Sequence, residues 1–141
     1  MKSNFKELIN IVNEWVIIAD EDLKYAKLGL KISTGVSYRI ISFHSQQCAE
    51  KYLKAYLVFS NTEFPYTHNI TTLLDLCSLI DVAFESLRDS EILTSYATAN
   101  RYPGAYRKLK KTDAVSAIKL ASKVRLKVRK KLVELGFKFS K

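Results

Sequence analysis

His44, Gln47, Lys51 and Lys54 recur at steps of three, four and three residues inside the run YRIISFHSQQCAEKYLKAYLVFS, Tyr38 to Ser60. At ~100° per residue, a helix gathers them within about 80° of one face. Of this row, Gln47, Lys51 and Lys54 offer hydrogen-bond donors to a phosphate or nucleotide. The competing reading is a solvated face, in which Glu50 and Lys54, four apart in the favourable order, form a surface ion pair.

Two further stretches carry candidate chemistry. Arg101, Tyr102 and Pro103 place a planar cation and an aromatic ring at a sharp bend, suited to an anionic or stacking partner. The plain alternative is that Pro103 stops a helix and Arg101 satisfies its terminal carbonyls. Beyond them, Lys119, Lys123, Lys127 and Lys130 line one stripe within about 80°. Arg125, Arg129 and Lys131 widen the stripe, and Arg107, Lys108, Lys110 and Lys111 extend it upstream. Such a surface binds RNA or DNA by counter-ion release, docks an acidic partner, or is merely wet. Charge is unevenly placed along the chain. Up to Asn100 there are nine Lys/Arg against twelve Asp/Glu, and from Arg101 onward fourteen against two, giving +9 overall. This asymmetry points to an anionic partner for one end of the molecule.

The elements that must position these residues are helices. The chain has 141 residues, 48% of them apolar, with only four Gly and two Pro, which fits one domain built of a few long helices. The first helix is expected from Asn4 to Lys31, with Leu8, Ile11, Val12, Trp15, Ala19, Leu23, Ala26 and Leu30 inside. An exposed Asp20–Lys24 pair supports it. The second follows Ser37 as N-cap and buries Ile41, Cys48, Tyr52, Ala55 and Phe59 before ending near Ser60-Asn61. A short third helix starts about Asn69. After a loose Asp81–Ser86 connection, a fourth runs from Leu87 to Asn100 and buries Ile92, Leu93, Tyr96 and Ala97. The last starts at Thr112 as cap, buries Ala114, Ala117, Ala121, Val124, Val128 and Leu132, and stops at Gly136. The expected class is all-α: an up-down antiparallel four-helix bundle with one additional short helix, residues 1–141 as a single domain.

Cys48 and Cys77 stand alone in apolar patterns, which reads as buried free thiols; no metal and no cofactor is expected. No run of eighteen apolar residues occurs, and MKSNFKELINIVNEW lacks the uniform apolar segment of a signal peptide. The expectation is therefore a cytoplasmic protein without membrane contact.

The ordered set Ala19-Asp22-Leu23-Ala26, QQCAEKYLKAYL, FPYTHNITTLLDLC and RYPGAY before an Ala-rich helix resembles the HEPN domain family over nearly the whole chain. The resemblance implies a small helical bundle and a nucleotide- or RNA-binding role. In it Lys51 and Lys54 match the EKxxKA portion and His68 matches a Thr-His position ahead of the third helix. His68 then either fixes that turn or enters a pocket. Family members that resemble metal-independent ribonucleases carry Arg, four to six residues, then His near the last long helix. Arg101 is followed there by Tyr106, Arg107 and Lys108, and no His. The spacing does occur at Arg39 and His44, but on the second helix, where five residues turn the side chains about 140° apart. The resemblance also implies pairing with a minimal nucleotidyltransferase, and helices that still carry apolar or aromatic residues such as Tyr56 and Phe59 suggest a homodimer. Three functions follow as expectations: a nucleotide- or nucleic-acid-binding module, a toxin-like ribonuclease of a toxin–antitoxin pair, and a structural interaction subunit.

Overall fold

The computed structural model describes residues 2–99 and 108–139. Among them are α1 (Lys2–Gly29), α2 (Tyr38–Phe59), α3 (Ile70–Ile80), a 3₁₀ helix (Val82–Leu93), α4 (Thr94–Ala99) and α5 (Lys111–Glu134), with no strand. The all-helical expectation holds. α2 is the central element, packing chiefly on α1 and α5 and also meeting α3, the 3₁₀ helix and α4. Its buried residues therefore lie on more than one side: Ile41, Cys48, Tyr52 and Ala55, and also Ala49, Leu53, Tyr56 and Leu57. α1 contributes Val12, Val16, Ala19, Leu23 and Ala26 to the core, and α5 contributes Ala114, Ala117, Ala121, Val124, Val128 and Leu132. Small side chains on both partners let their axes approach α2 closely.

Local chemistry sets the ends of the helices. Ser37 accepts the Ile40 N–H at 3.2 Å, as an N-cap should. α2 closes on Asn61 at φ 55°, with Thr62 N–H donating to Leu57 O at 2.9 Å and Asn61 N–H to Val58 O at 3.0 Å. α5 closes the same way on Gly136 at φ 99°, through Phe137 N–H to Leu132 O and Gly136 N–H to Val133 O, both 2.9 Å. Both are paired-bond Schellman closures, one using Asn and one Gly in the left-handed region.

Several expectations need correction. Ile11 is 45% exposed, and Val16 takes the inward place. Asp20 does not pair with Lys24; its carboxylate is turned toward α2 and α5. Thr112 lies inside α5, whose N-cap is Lys110. The Lys110 N–H donates to Asp113 Oδ2 at 2.8 Å, so the carboxylate three residues on satisfies the backbone N–H of the cap residue. The segment expected as a loose connection followed by an α-helix is 3₁₀ from Val82 to Leu93. Phe84, Leu87, Ser90 and Leu93 are buried at every third position, which matches three residues per turn and leaves Ile92 58% exposed. Ser86 and Ser90 support this winding by donating to the carbonyls of Ala83 and Leu87, three residues back, at 2.9 and 2.6 Å. Tyr56, expected at a dimer surface, is buried against Phe84 with ring centroids 4.5 Å apart. Phe59 is half-buried and packs on Phe137.

Candidate functional site

The polar row on α2 is divided between two carboxylates. Asp22 of α1 accepts from His44 Nδ1 at 2.9 Å on one oxygen and from Lys51 Nζ at 2.6 Å on the other. An ionised carboxylate only accepts, so the Nδ1 of His44 carries the proton and its Nε2 is the nitrogen left to act on another group. One turn further along, Glu50 collects Lys54 Nζ at 3.0 Å, Gln46 Nε2 at 2.8 Å and His68 Nδ1 at 2.9 Å. Gln46 also donates to the His68 carbonyl at 3.3 Å and accepts from Gln47 Nε2 at 2.6 Å. Lys54 and Glu50 are buried, their side chains 7% and 4% exposed, so the expected surface ion pair is an interior one. The Lys54 ammonium sits 5.7 Å from the Trp15 ring centroid and 5.9 Å from that of Phe64, inside an aromatic cage. Lys54 and His68 thus tie the loop before α3 to α2, and Lys54 is not a donor on an open wall. Arg39 is half-buried five residues before His44.

A third carboxylate organises the seam between α1, α2 and α5. Asp20 accepts a short hydrogen bond from the Tyr52 hydroxyl, and Arg125 Nε lies 2.9 Å from Asp20 Oδ1. Arg129 reaches Asp20 Oδ2 at 3.7 Å and the Tyr52 hydroxyl at 3.3 Å, and its guanidinium lies 3.8 Å over the Phe139 ring. Burial pushes the Tyr52 phenol up, and the hydrogen bond to Asp20 pushes it further. Burial works against the charge of Arg125, but the Asp20 contact outweighs it and raises its pKa. Both cysteines are free and buried, and burial drives both thiols well above their ordinary range.

The basic residues of α5 fall into different surroundings. Lys123 pairs with Asp89 at 2.9 Å, and Lys131 with Asp81 at 2.8 Å and Glu134 at 3.1 Å. Lys119 and Lys130 are exposed, and Lys127 is half-exposed. Lys119 borders a cleft of about 430 Å³ with Lys111, Thr112, Val115 and Ser116. A larger cleft, about 590 Å³, opens between α1 and α5. It is lined by Asp20, Leu23, Lys24, Lys27, Leu28 and Lys31 on one side and Ser122, Arg125 and Leu126 on the other. Arg101, Tyr102 and Arg107 lie outside the described residues. Among the described residues no group of three His, Cys, Asp or Glu could hold a metal, and no helix is long and apolar enough to cross a membrane.

The local spacing points to Glu50 as the partner of Lys54 but does not point to Asp22, which holds His44 and Lys51. One signal existed for Asp22. It lies three residues after buried Ala19 and four before buried Ala26, at the edge of the α1 stripe, where a charge needs a partner.

A bundle of helices around a central α2, laced by carboxylate-centred polar clusters, is the class of protein that the fold defines. The HEPN domain model matches residues 12–131, and the chain belongs to the HEPN family. A crystal structure of an archaeal HEPN homologue is similar at a TM-score of 0.62 and 26% identity, covering 86% of this chain and 97% of that one. No curated protein matches the chain.

Proposed function

We propose that the protein is a binding module for nucleic acid or nucleotides, engaging phosphates on the cationic side of the bundle where α5 lies. The observation that carries this reading is that α5 keeps cations without an acid partner among the described residues, although Lys123, Arg125, Arg129 and Lys131 are paired. On α2, Lys51 is held by Asp22 and Lys54 by Glu50. On α5, Lys119 and Lys130 face outward and form no ion pair among the described residues. A region with fourteen Lys/Arg and two acids then retains positive charge that nothing internal balances. Fluorescence anisotropy of a labelled single-stranded RNA tests the reading. Binding should be seen at low salt and fall linearly on a log–log plot as salt rises. Absence of binding to RNA, DNA and nucleotides alike would retire it.

In this reading the module works in the cytoplasm as a homodimer, beside a minimal nucleotidyltransferase, or both. Exposed Ile11, Ile18, Tyr25 and Ile32, spaced seven residues apart along α1 and its closing turn, favour association through that helix. A second reading, the ribonuclease of a toxin–antitoxin pair, draws support from Asp22 holding His44. A carboxylate-oriented imidazole is the arrangement that a general acid or base needs. Incubating RNA with the protein and a chelator tests it: cleavage that His44→Ala abolishes supports the second reading. If neither binding nor cleavage occurs, a structural interaction subunit is what remains.

A further inference from the structure

The geometry points to the cleft between α1 and α5 as the place where consecutive phosphates are seated, with Lys24, Lys27 and Lys31 as their ligands. This rests on the phosphate-binding reading above and assigns it a site on α1 that the charge pattern of α5 does not reveal. Lys24 and Lys27 lie about 60° apart on the helix, and Lys31 follows in the turn that closes it. All three are exposed and form no ion pair among the described residues.

Glu21, three residues before Lys24, is exposed outside the cleft lining, and Asp20, four before Lys24, has its carboxylate taken by Tyr52, Arg125 and Arg129. Two guanidiniums more than neutralise that one acid. The cleft lining thus carries Lys24, Lys27, Lys31 and Arg125 against Asp20 alone. Like charges three and four residues apart cost an isolated helix a few tenths of a kcal/mol per pair. A bound anion would relieve this repulsion.

Shape agrees with charge. A cleft of about 590 Å³ is within the range that accepts a nucleotide-sized group. Leu28 and Leu126, 42% and 66% exposed, give its two sides apolar lips against which a base or ribose can rest. Lys24 and Lys27 lie ~4.5 Å apart along the α1 axis at ~1.5 Å per residue, and Lys31 lies beyond them in the closing turn, so three ammoniums stand in order for successive phosphates of one strand. The triphosphate of a free nucleotide presents the same chemistry.

The test uses the full chain, a labelled 12-nucleotide single-stranded RNA and, separately, ATP and inorganic triphosphate. The triple variant Lys24→Gln/Lys27→Gln/Lys31→Gln should bind at least tenfold more weakly at low salt. Its log–log salt slope should be shallower by about 2, as expected when about three phosphate contacts to a single strand are lost. Lys119→Gln/Lys130→Gln should weaken binding less. Lys27→Gln removes one ammonium without placing an acid in the last turn of α1, so it should weaken binding while the melting temperature of the free protein holds. That combination separates a lost site from a lost fold. If RNA alone depends on the triple, the source is a nucleic-acid backbone; if ATP and triphosphate depend on it equally, the source is a free polyphosphate. Wild-type binding that the triple variant leaves unchanged overturns the cleft while sparing the broader reading. A wild type that binds none of the three ligands overturns both.

Discussion

Glu50 accepts from Lys54, Gln46 and His68 in a buried setting, so removing it and removing one of its donors are different perturbations. Glu50→Ala leaves the Lys54 ammonium in the interior beside Trp15 and Phe64 with no counter-charge. Breaking a buried pair from one side costs about 3–5 kcal/mol, and urea unfolding should show a loss of that size. Lys54→Met should cost clearly less. Its apolar stem fits the same aromatic cage, and Glu50 keeps Gln46 and His68. Equal losses in the two variants would mean that Gln46 and His68 do not hold the Glu50 carboxylate once Lys54 is gone. A second carboxylate gives a pH-dependent prediction. The Lys131 ammonium and the Ala83 N–H both bond Asp81 and hold its carboxyl below the ordinary value. Its contribution to stability is present above the unfolded-state pKa and is lost as pH falls through the lowered, folded-state value. In Lys131→Met, the Asp81 titration followed by carboxyl-carbon NMR should move up toward the ordinary carboxylate range. An unmoved titration would contradict that pairing.

At the scale of elements, the first two helices are locked together by a close approach near the turn that joins them. A Cβ built on Gly29 would stand 2.7 Å from Ile41 Cγ1 and 3.0 Å from Ile41 Cδ1. Ile41 is itself buried and β-branched, so it cannot swing away freely. Gly29→Ala should therefore destabilise the fold by about 1–3 kcal/mol, the range for overpacking, despite the usual gain from placing Ala in a helix. Gly35, at φ 70° with nothing near its Cβ position, is constrained by its backbone instead. A thermal melt of Gly29→Ala that matched the wild type would show that α1 and α2 do not meet there. Most helix ends were legible in the sequence because caps act locally: Ser37, Asn69, Asn61 and Gly136 lie within a turn of the groups they satisfy. The 3₁₀ helix was less legible. Its burial at every third residue, with Ser90 among Phe84, Leu87 and Leu93, resembles a broken α-helical pattern.

For the molecule as a whole, periodicity in the sequence identified faces but could not pair them. His44 finds Asp22 across 22 positions, and Arg125 finds Asp20 across 105, so these two carboxylates lie beyond any local pattern, whereas Glu50 is four residues from Lys54. The cationic row on α2 was read correctly as residues on one face, and incorrectly as a face open to solvent at Lys54. The reverse happened on α1. Ile11 was assigned to the core, and Ile18 and Tyr25 to no face. All three are exposed in a seven-residue repeat, and Ile17 widens the apolar strip. A repeat of seven is the spacing with which one helix presents a seam to another. Asp22 lies only about 40–60° around α1 from Ile18 and Tyr25, so a partner covering the strip would also border the Asp22–His44 pair. Sedimentation velocity over a concentration series should then show a species of twice the 16.1 kDa chain mass. Ile18→Glu/Tyr25→Glu should shift it to the single-chain mass without lowering the melting temperature of the isolated chain, since neither residue is buried within it. A wild type that stays at the single-chain mass at every concentration would remove the second copy as occupant of this face. An acidic double variant that stays dimeric would move the interface to another helix.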